Sequence, residues 1–405
     1  MAAGTVLAYC VLVAVRIDQQ WPPDFAAFYS IARALGTGGL GAVHLMYSIH
    51  FQEVAEASVQ AGAGRVYFEP FMNPWPAAVI LIPFTALPLR AAFLIWDTAA
   101  LAICAAGTYW LCKDAGLGAD ATLLTWFLLA SYPVYLALGV GQYDLLWPAC
   151  LALFTAALTT SRAGKRLARS AVAILLFSFK PDLLLALVVP GMRAWKRRAV
   201  REAGVLLLVL ALAVLLAMGP GGVTQAIHLE AYALLTRFPP LSDITVLGLL
   251  WHILGPGRPT QLLATGVSLL VLVSFAWLWW RDPPRTRVGW CLSLTSAVCL
   301  SLAIAPHALS HDLVLLVGPM VWTARALRES GRSLAWMWVW YGLFNAVVLV
   351  DGTPLLRLPV SLTFVLLIGA SAAAWWARGS LRGGAVPVQR EAGAMRPAEQ
   401  VPAGD

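Results

Sequence analysis

The sequence predicts an all-α polytopic membrane protein of about twelve transmembrane helices, with interfacial helices on the outer face. Three observations predict it. The 405 residues are 60% hydrophobic and 12% charged, with mean hydropathy +0.76, where a soluble chain carries about 25% charged residues. Apolar stretches of about 17–25 residues recur along nearly the whole length, the length of a helical span; a barrel would need short alternating segments instead. The charges gather in short loops between those stretches, where they set topology. The net charge of +8 therefore implies no nucleic-acid partner, and the bilayer is the expected surrounding. Cys10, Cys104, Cys112, Cys150, Cys291 and Cys299 fall in or beside apolar segments and read as small lipid- or core-facing residues rather than disulfides or metal ligands.

Taken in order, residues 1–17 read as a retained anchor, because no basic region precedes them and no small-x-small site follows. Residues 18–88 form one large outer loop. Within it, 74–88 carries Pro74, Pro76, Pro83 and Pro88 and reads as a half-helix at the interface. Spans follow at 89–112, 119–139 and 141–160. The basic run Arg162, Lys165, Arg166, Arg169 places the next loop in the cytoplasm. Residues 167–192 make two short spans with Lys180-Pro181 at the outer turn, before a second basic run from Arg193 to Arg201. Residues 202–218 rise, 219–259 stay outside with 240–255 as an interfacial candidate, and 260–280 descend. Arg281, Arg285 and Arg287 mark the third inner loop, and Arg325, Arg328 and Arg332 the fourth, between spans 288–305, 311–325, 334–350 and 357–377. Residues 1–378 thus form a single transmembrane domain. Residues 379–405, rich in Gly, Ala, Pro and charge, read as a disordered cytoplasmic tail.

The basic loops alone define this threading, yet it gathers the chemically capable residues on the outer face. Asp24 follows Pro22-Pro23; a carboxylate there suits a helix N-cap and equally a general base. Tyr67, Glu69 and Asn73 lie in an aromatic and proline-rich lip that fits either an interfacial belt or a surface stacking on sugar or lipid. Lys180 is one of four lysines in a chain that otherwise uses arginine. It follows an apolar run, where a cation is either snorkelling or binding an anion such as phosphate. Pro306-His307-Ala308-Leu309-Ser310-His311-Asp312 offers histidines at i and i+4. On a helix these could ligate a metal, but no third ligand is obvious, so a histidine donating to phosphate and oriented by Asp312 or a backbone carbonyl is the better expectation. Gln142 and Asp144 suit sugar hydroxyls, a divalent cation or a helix cap. No metal and no cofactor is expected.

Together the Asp after the first span, the aromatic–Pro half-helix, the Gly141-Gln142-Tyr143 turn, the Lys180-Pro181 turn and the late Pro-His…His-Asp turn resemble glycosyltransferase family 87, the polyprenol-phosphate-dependent membrane enzymes of the GT-C fold. Tyr143 stands where the pattern has Asn. The resemblance implies an inverting transferase that moves a hexose, commonly mannose, from a polyprenyl-phosphate sugar to a hydroxyl of a glycolipid or glycan acceptor. It implies Asp24 as general base, and Lys180, His307 and His311 as the seat of the donor phosphate. Tyr67, Glu69, Asn73, Gln142, Asp144 and Asp312 complete the expected substrate site. High Ala, Gly and Arg suggest a bacterial plasma membrane, with the site on the extracytoplasmic face. A transporter or flippase of lipid-linked sugar would share the lysine without needing the base, although such proteins often show repeated halves. A non-catalytic membrane partner of a glycan-assembly complex is the other alternative.

Overall fold

The computed structural model describes residues 23–60, 68–159, 179–190, 197–233, 243–284 and 286–335, with single residues and short stretches within 164–172 and 337–376. Among the described residues regular structure is helical, with no strand. The chain opens with α1 (Pro23–Gly38), α2 (Leu40–Val43) and α3 (Ile49–Gln60). Pro23 takes the first helical position of α1, where its missing N–H goes unused. Phe25, Phe28, Tyr29, Ile31, Ala32 and Leu35 are buried on one helical face. Residues 68–73 have no regular structure, and their buried backbone needs partners. Gln52 of α3 supplies them, accepting from Phe71 N at 2.8 Å and donating to Phe71 O at 3.0 Å.

The proline-rich stretch after it folds as two short turns, α4 (Pro76–Val79) and a 3-10 turn at Ile82–Ala86. Each has a proline at its start, and neither is long enough to cross a bilayer. Tyr29 Oη donates to Leu87 O at 2.6 Å and fastens this segment to α1. From Leu89 the chain is a 26-residue helix, α5 (Leu89–Asp114). Next come α6 (Asp120–Leu129) and α7 (Tyr132–Val140), a pair bent by 54°. A 3-10 turn at Tyr143–Leu146 leads into α8 (Trp147–Thr159). Gly107 of α5 lets α8 close in, since a Cβ there would sit 2.3 Å from Ala149 N.

The second half holds α9 (Arg197–Tyr232), α10 (Val246–Leu254), α11 (Arg258–Arg281), α12 (Arg287–Ile304) and α13 (Val317–Glu329), with 3-10 turns at Pro181–Leu187 and Ser310–Leu316. The buried spine is α12, buried along almost its whole length. By contrast α9 and α11 leave rows of Leu, Val and Trp exposed, among them Leu212, Leu216, Leu270 and Trp277. Five cysteines, Cys104, Cys112, Cys150, Cys291 and Cys299, are buried free thiols; Cys10 lies outside the described residues.

Among the described residues four helices are long and apolar enough to cross a membrane, or five if α6 and α7 count as one broken span. The predicted spans 89–112, 260–280 and 288–305 are single long helices. Span 119–139 is the bent pair. Span 141–160 is a 3-10 turn running into α8, and 311–325 is a 3-10 turn running into the thirteen residues of α13. Span 181–192 begins as a 3-10 helix. Residues 1–17, nearly all of 167–178, about half of 334–350 and of 357–377, and the tail 379–405 lie outside the described residues.

The predicted span 202–218 ends where the helix breaks: Gly219 adopts the non-helical φ 63° and ψ 174° and Pro220 follows, a pair that normally ends a helix. Helix resumes after the break and runs to Tyr232, and His44 Nδ1 lies 2.7 Å from the Met218 carbonyl beside it. Residues 240–255 contain α10, whose nine residues span about 14 Å at ~1.5 Å each, far short of the roughly 30 Å hydrocarbon layer.

Candidate active site

Asp24 is the second residue of α1, in its first turn rather than at the cap position its Pro-Pro prefix suggested. Charge–dipole attraction favours a carboxylate in either place. Its partner comes from the end of α7. There Gly141 turns left-handed at φ 75°, and a Cβ on it would lie 2.6 Å from Phe25 Cβ and 2.9 Å from the Phe93 ring. Trp96 Nε1 donates to Gly141 O at 3.2 Å. This turn delivers Gln142, whose Nε2 donates to Asp24 Oδ2 in a short hydrogen bond. Gln142, expected to hold sugar or a divalent cation or to cap a helix, thus bonds Asp24 and stands at the cap position of the 3-10 turn that follows. Gly141→Ala is therefore expected to cost about 1–3 kcal/mol through strain and overpacking. A lowered unfolding midpoint of the purified protein would register it, and an unchanged midpoint would contradict the tight contact.

Tyr143 faces the apolar body. Its ring lies 4.6 Å from Phe28, 5.3 Å from Trp96 and 5.4 Å from Phe179, between centroids, and its hydroxyl donates to Ala77 O at 2.8 Å. Tyr143 is thus a brace for the frame.

Asp144 comes next and is fully buried. Its Oδ1 accepts from Trp147 Nε1 at 3.1 Å and lies 3.3 Å from Lys180 Nζ. Its Oδ2 is 3.6 Å from His311 Nε2. Lys180 Nζ also donates to Asp312 Oδ1 at 2.5 Å, while Asp312 Oδ2 accepts from Leu309 N at 2.8 Å. Lys180 is therefore clamped between two carboxylates rather than snorkelling. Asn73 supports its turn, donating through Nδ2 to Phe179 O at 3.1 Å. The 3-10 turn after Lys180 is tied to the spine through Ala186 N and Ser301 Oγ.

The two histidines part company. The segment is not an α-helix, since residues 306–309 are irregular and a 3-10 turn begins at Ser310, so i and i+4 do not share a face. His311 joins Asp144 and Asp312, whereas His307 Nδ1 faces Asp243 Oδ2 at 3.6 Å. Asp312, expected to orient a histidine donor with a backbone carbonyl as the alternative, bonds Lys180 through Oδ1 and lies 3.9 Å from His311 Nε2 through Oδ2. Glu69 sits against α3, its backbone N–H donating to Glu56 Oε2 at 3.1 Å. Tyr67 lies outside the described residues. Asp243 was not anticipated. Its only sequence signal is a lone acid shortly after Pro239-Pro240, the same setting as Asp24.

Asp144, His311 and Asp312 each offer one ligand atom, all within 4.8 Å of one another, a spacing that suits a divalent cation. The Lys180 ammonium already contacts both carboxylates of the trio, so we read it as the built-in cation there. Burial works against the Lys180 charge, but Asp144 and Asp312 outweigh it and hold the ammonium above its usual range. Burial raises the Asp24 carboxyl above the ordinary carboxylate value. His311, the Gln142 hydrogen bond and Lys180 pull it back only in part.

A buried carboxylate and a clamped ammonium in an otherwise apolar helical body leave the reaction class open, and comparison with known proteins narrows it. The family model described as glycosyltransferase family 87 matches residues 71–306, more than half of the chain. The chain belongs to glycosyltransferase family 87. No curated protein and no solved structure matches it. The family indicates glycosyl transfer, and the long apolar helices fit a membrane glycosyltransferase. In this family-87 chain Asn73, Gln142, Asp144, Lys180 and Asp243 fall inside the match, while Asp24, Glu69, His307, His311 and Asp312 fall outside it. The geometry joins the two groups: Gln142 meets Asp24, Lys180 meets Asp312, Asp144 meets His311, and Asp243 meets His307.

Proposed function

We propose that the protein is an inverting hexosyltransferase. It moves a hexose, mannose in the first instance, from a polyprenyl-phosphate sugar to a hydroxyl of a lipid-linked or envelope glycan on the outer face of the bacterial plasma membrane. The observation that carries this is the Asp24–Gln142 pair, with Gln142 two residues along the chain from Asp144, which itself meets Lys180 at 3.3 Å and His311 at 3.6 Å. In this reading Asp24 takes the proton of the acceptor hydroxyl. The acceptor oxygen bonds to the anomeric carbon as the bond from that carbon to the phosphate oxygen breaks, and the phosphate leaves with added negative charge. Lys180 and His307 offset that charge and His311 donates a hydrogen bond to the phosphate, and fixed cations act most strongly where charge develops. Asn73, Asp144 and Asp312 position these groups. No cofactor takes part.

The test is transfer by purified protein in nanodiscs, from labelled polyprenyl-phosphate-mannose to a membrane glycolipid extract. Labelled glycolipid supports the reading. Passage of donor across the membrane without transfer would favour a transporter and sink it.

The state of Asp24 also sets a pH dependence. The base works ionised, so transfer rises as pH climbs through the Asp24 pKa, which burial has raised. Gln142→Leu removes a hydrogen bond to the charged form and raises that pKa further. The acidic limb of kcat/KM is expected to move to higher pH in this variant, with the plateau within about tenfold of wild type. A limb that stays in place would count against Gln142 as the partner of the base.

A further inference from the structure

Asp243 is the least expected polar residue in the described structure. It is fully buried between α9 and α10, and its setting is rigid. Its Oδ1 accepts from Thr245 N at 3.0 Å and Ala308 N at 3.3 Å. Ile244 N donates to Ala308 O at 2.9 Å, so the backbones of 243–245 and 305–308 are bonded directly. Thr363 Oγ1 donates to Ile244 O at 2.8 Å. Gly248 brings α10 against the same spot, since a Cβ there would lie 2.1 Å from Asp243 O. One carboxylate oxygen is thus used for structure. The other, Oδ2, faces His307 Nδ1 at 3.6 Å. A fully buried carboxylate with one oxygen turned to an imidazole is how proteins fix a histidine tautomer and favour its charged form.

We propose that Asp243 is a positioning residue that holds His307 as an imidazolium, its Nδ1–H turned to the carboxylate, so that the ring can hydrogen-bond the phosphate of a polyprenyl-phosphate sugar as that phosphate departs. The proposal rests on the glycosyl-transfer reading above. No proton needs to leave His307; the ring offsets the charge that the phosphate gains.

The electrostatics agree. Burial alone would lower the His307 pKa, but Asp243 and Asp312 outweigh burial and the opposing Lys180, and the net shift is upward. Asp182 from the turn after Lys180, Glu230 from α9 and His311 also lie within range of its charge.

The experiment uses the full chain in nanodiscs with ¹³C-labelled histidine. There are six histidines in all, and the His307 signal is assigned by its loss in His307→Gln. Wild-type His307 is expected to titrate above the free-imidazole value of about 6.5; titration at or below that value overturns the proposal. Asp243→Asn keeps the acceptor for Thr245 and Ala308 but removes the charge, so His307 is expected to titrate at lower pH. Asp243→Glu, which keeps the charge, is expected to restore most of the difference. An unchanged titration in Asp243→Asn makes Asp243 a structural staple only and overturns the proposal.

The second readout is affinity for a short-chain polyprenyl phosphate. Between the two titrations Asp243→Asn is expected to bind about tenfold more weakly than wild type, with equal affinity at lower pH where His307 is charged in both. The ligand's own titration cancels in that ratio. A shifted titration with unchanged affinity overturns the phosphate contact. Failure of wild type to bind polyprenyl phosphate at all sinks the transfer reading itself, and the titration then still decides the Asp243–His307 pair.

Discussion

Asp24→Asn is expected to reduce kcat by roughly 10²–10⁴-fold, the range of general-base assistance, while leaving donor affinity near wild type. The substitution is isosteric, and an Asn amide oxygen can still accept from Gln142 Nε2, so the α7–α1 contact is retained. Stability should not fall. A carboxyl whose folded pKa is raised binds its proton more tightly in the native than in the unfolded state, so above the ordinary carboxylate pKa the ionised group works against folding. Removing it relieves that cost, against the loss of a charge–dipole attraction of about 0.3–1 kcal/mol. Reduced turnover with an unfolding midpoint equal to or above wild type is the signature of a group kept for chemistry. Transfer equal to wild type would remove Asp24 as the base, and loss of donor binding would move it from the acceptor to the donor side.

Lys180→Met should have the second large effect, and on two properties at once. Without the ammonium, Asp144 and Asp312 are left buried as neighbouring like charges. Breaking a buried pair in this way costs about 3–5 kcal/mol. Donor affinity should also fall if the ammonium meets the phosphate. The single variant cannot separate these effects, but Lys180→Met combined with Asp312→Asn can. Removing one charge of each sign should recover much of the unfolding midpoint, a non-additive result expected of groups in contact. Donor binding and transfer should stay low. Recovery of transfer along with stability would make Lys180 a structural cation and remove it from the phosphate site.

The fold class was legible because span-length apolar runs leave few alternatives. The helices at 89–114, 258–281 and 287–304 were legible because they are long and free of breakers. The break in α9 at Gly219-Pro220 was legible too, since that pair reads locally as a stop, but the helix that resumes beyond it to Tyr232 was not. For the site, topology sorted the residues better than it paired them. Asp24, Gln142, Asp144, Lys180, His311 and Asp312 do converge. Yet the bond from Gln142 to Asp24, the separation of His307 from His311, and Asp243 as partner of His307 depend on distances no spacing rule contains. Tyr143 shows the same limit, since its aromatic contacts come from three different elements.

The contrast between α12 and the helices α9 and α11 has a consequence for how this chain can vary. From Cys291 to Ile304 each side chain of α12 is buried, so a change of one methylene is felt. The outward faces of α9 and α11 expose Leu212, Leu216, Leu270 and Trp277, and where such a face meets fluid lipid it accepts any apolar side chain of whatever shape. Leu, Ile, Val and Phe are interchangeable there, while a charge near the middle is penalised by about 2.5–3.5 kcal/mol or more. One part of the sequence is thus free to drift within an apolar alphabet without touching the chemistry. The spine and the polar centre beside it carry nearly all the information that makes the protein what it is.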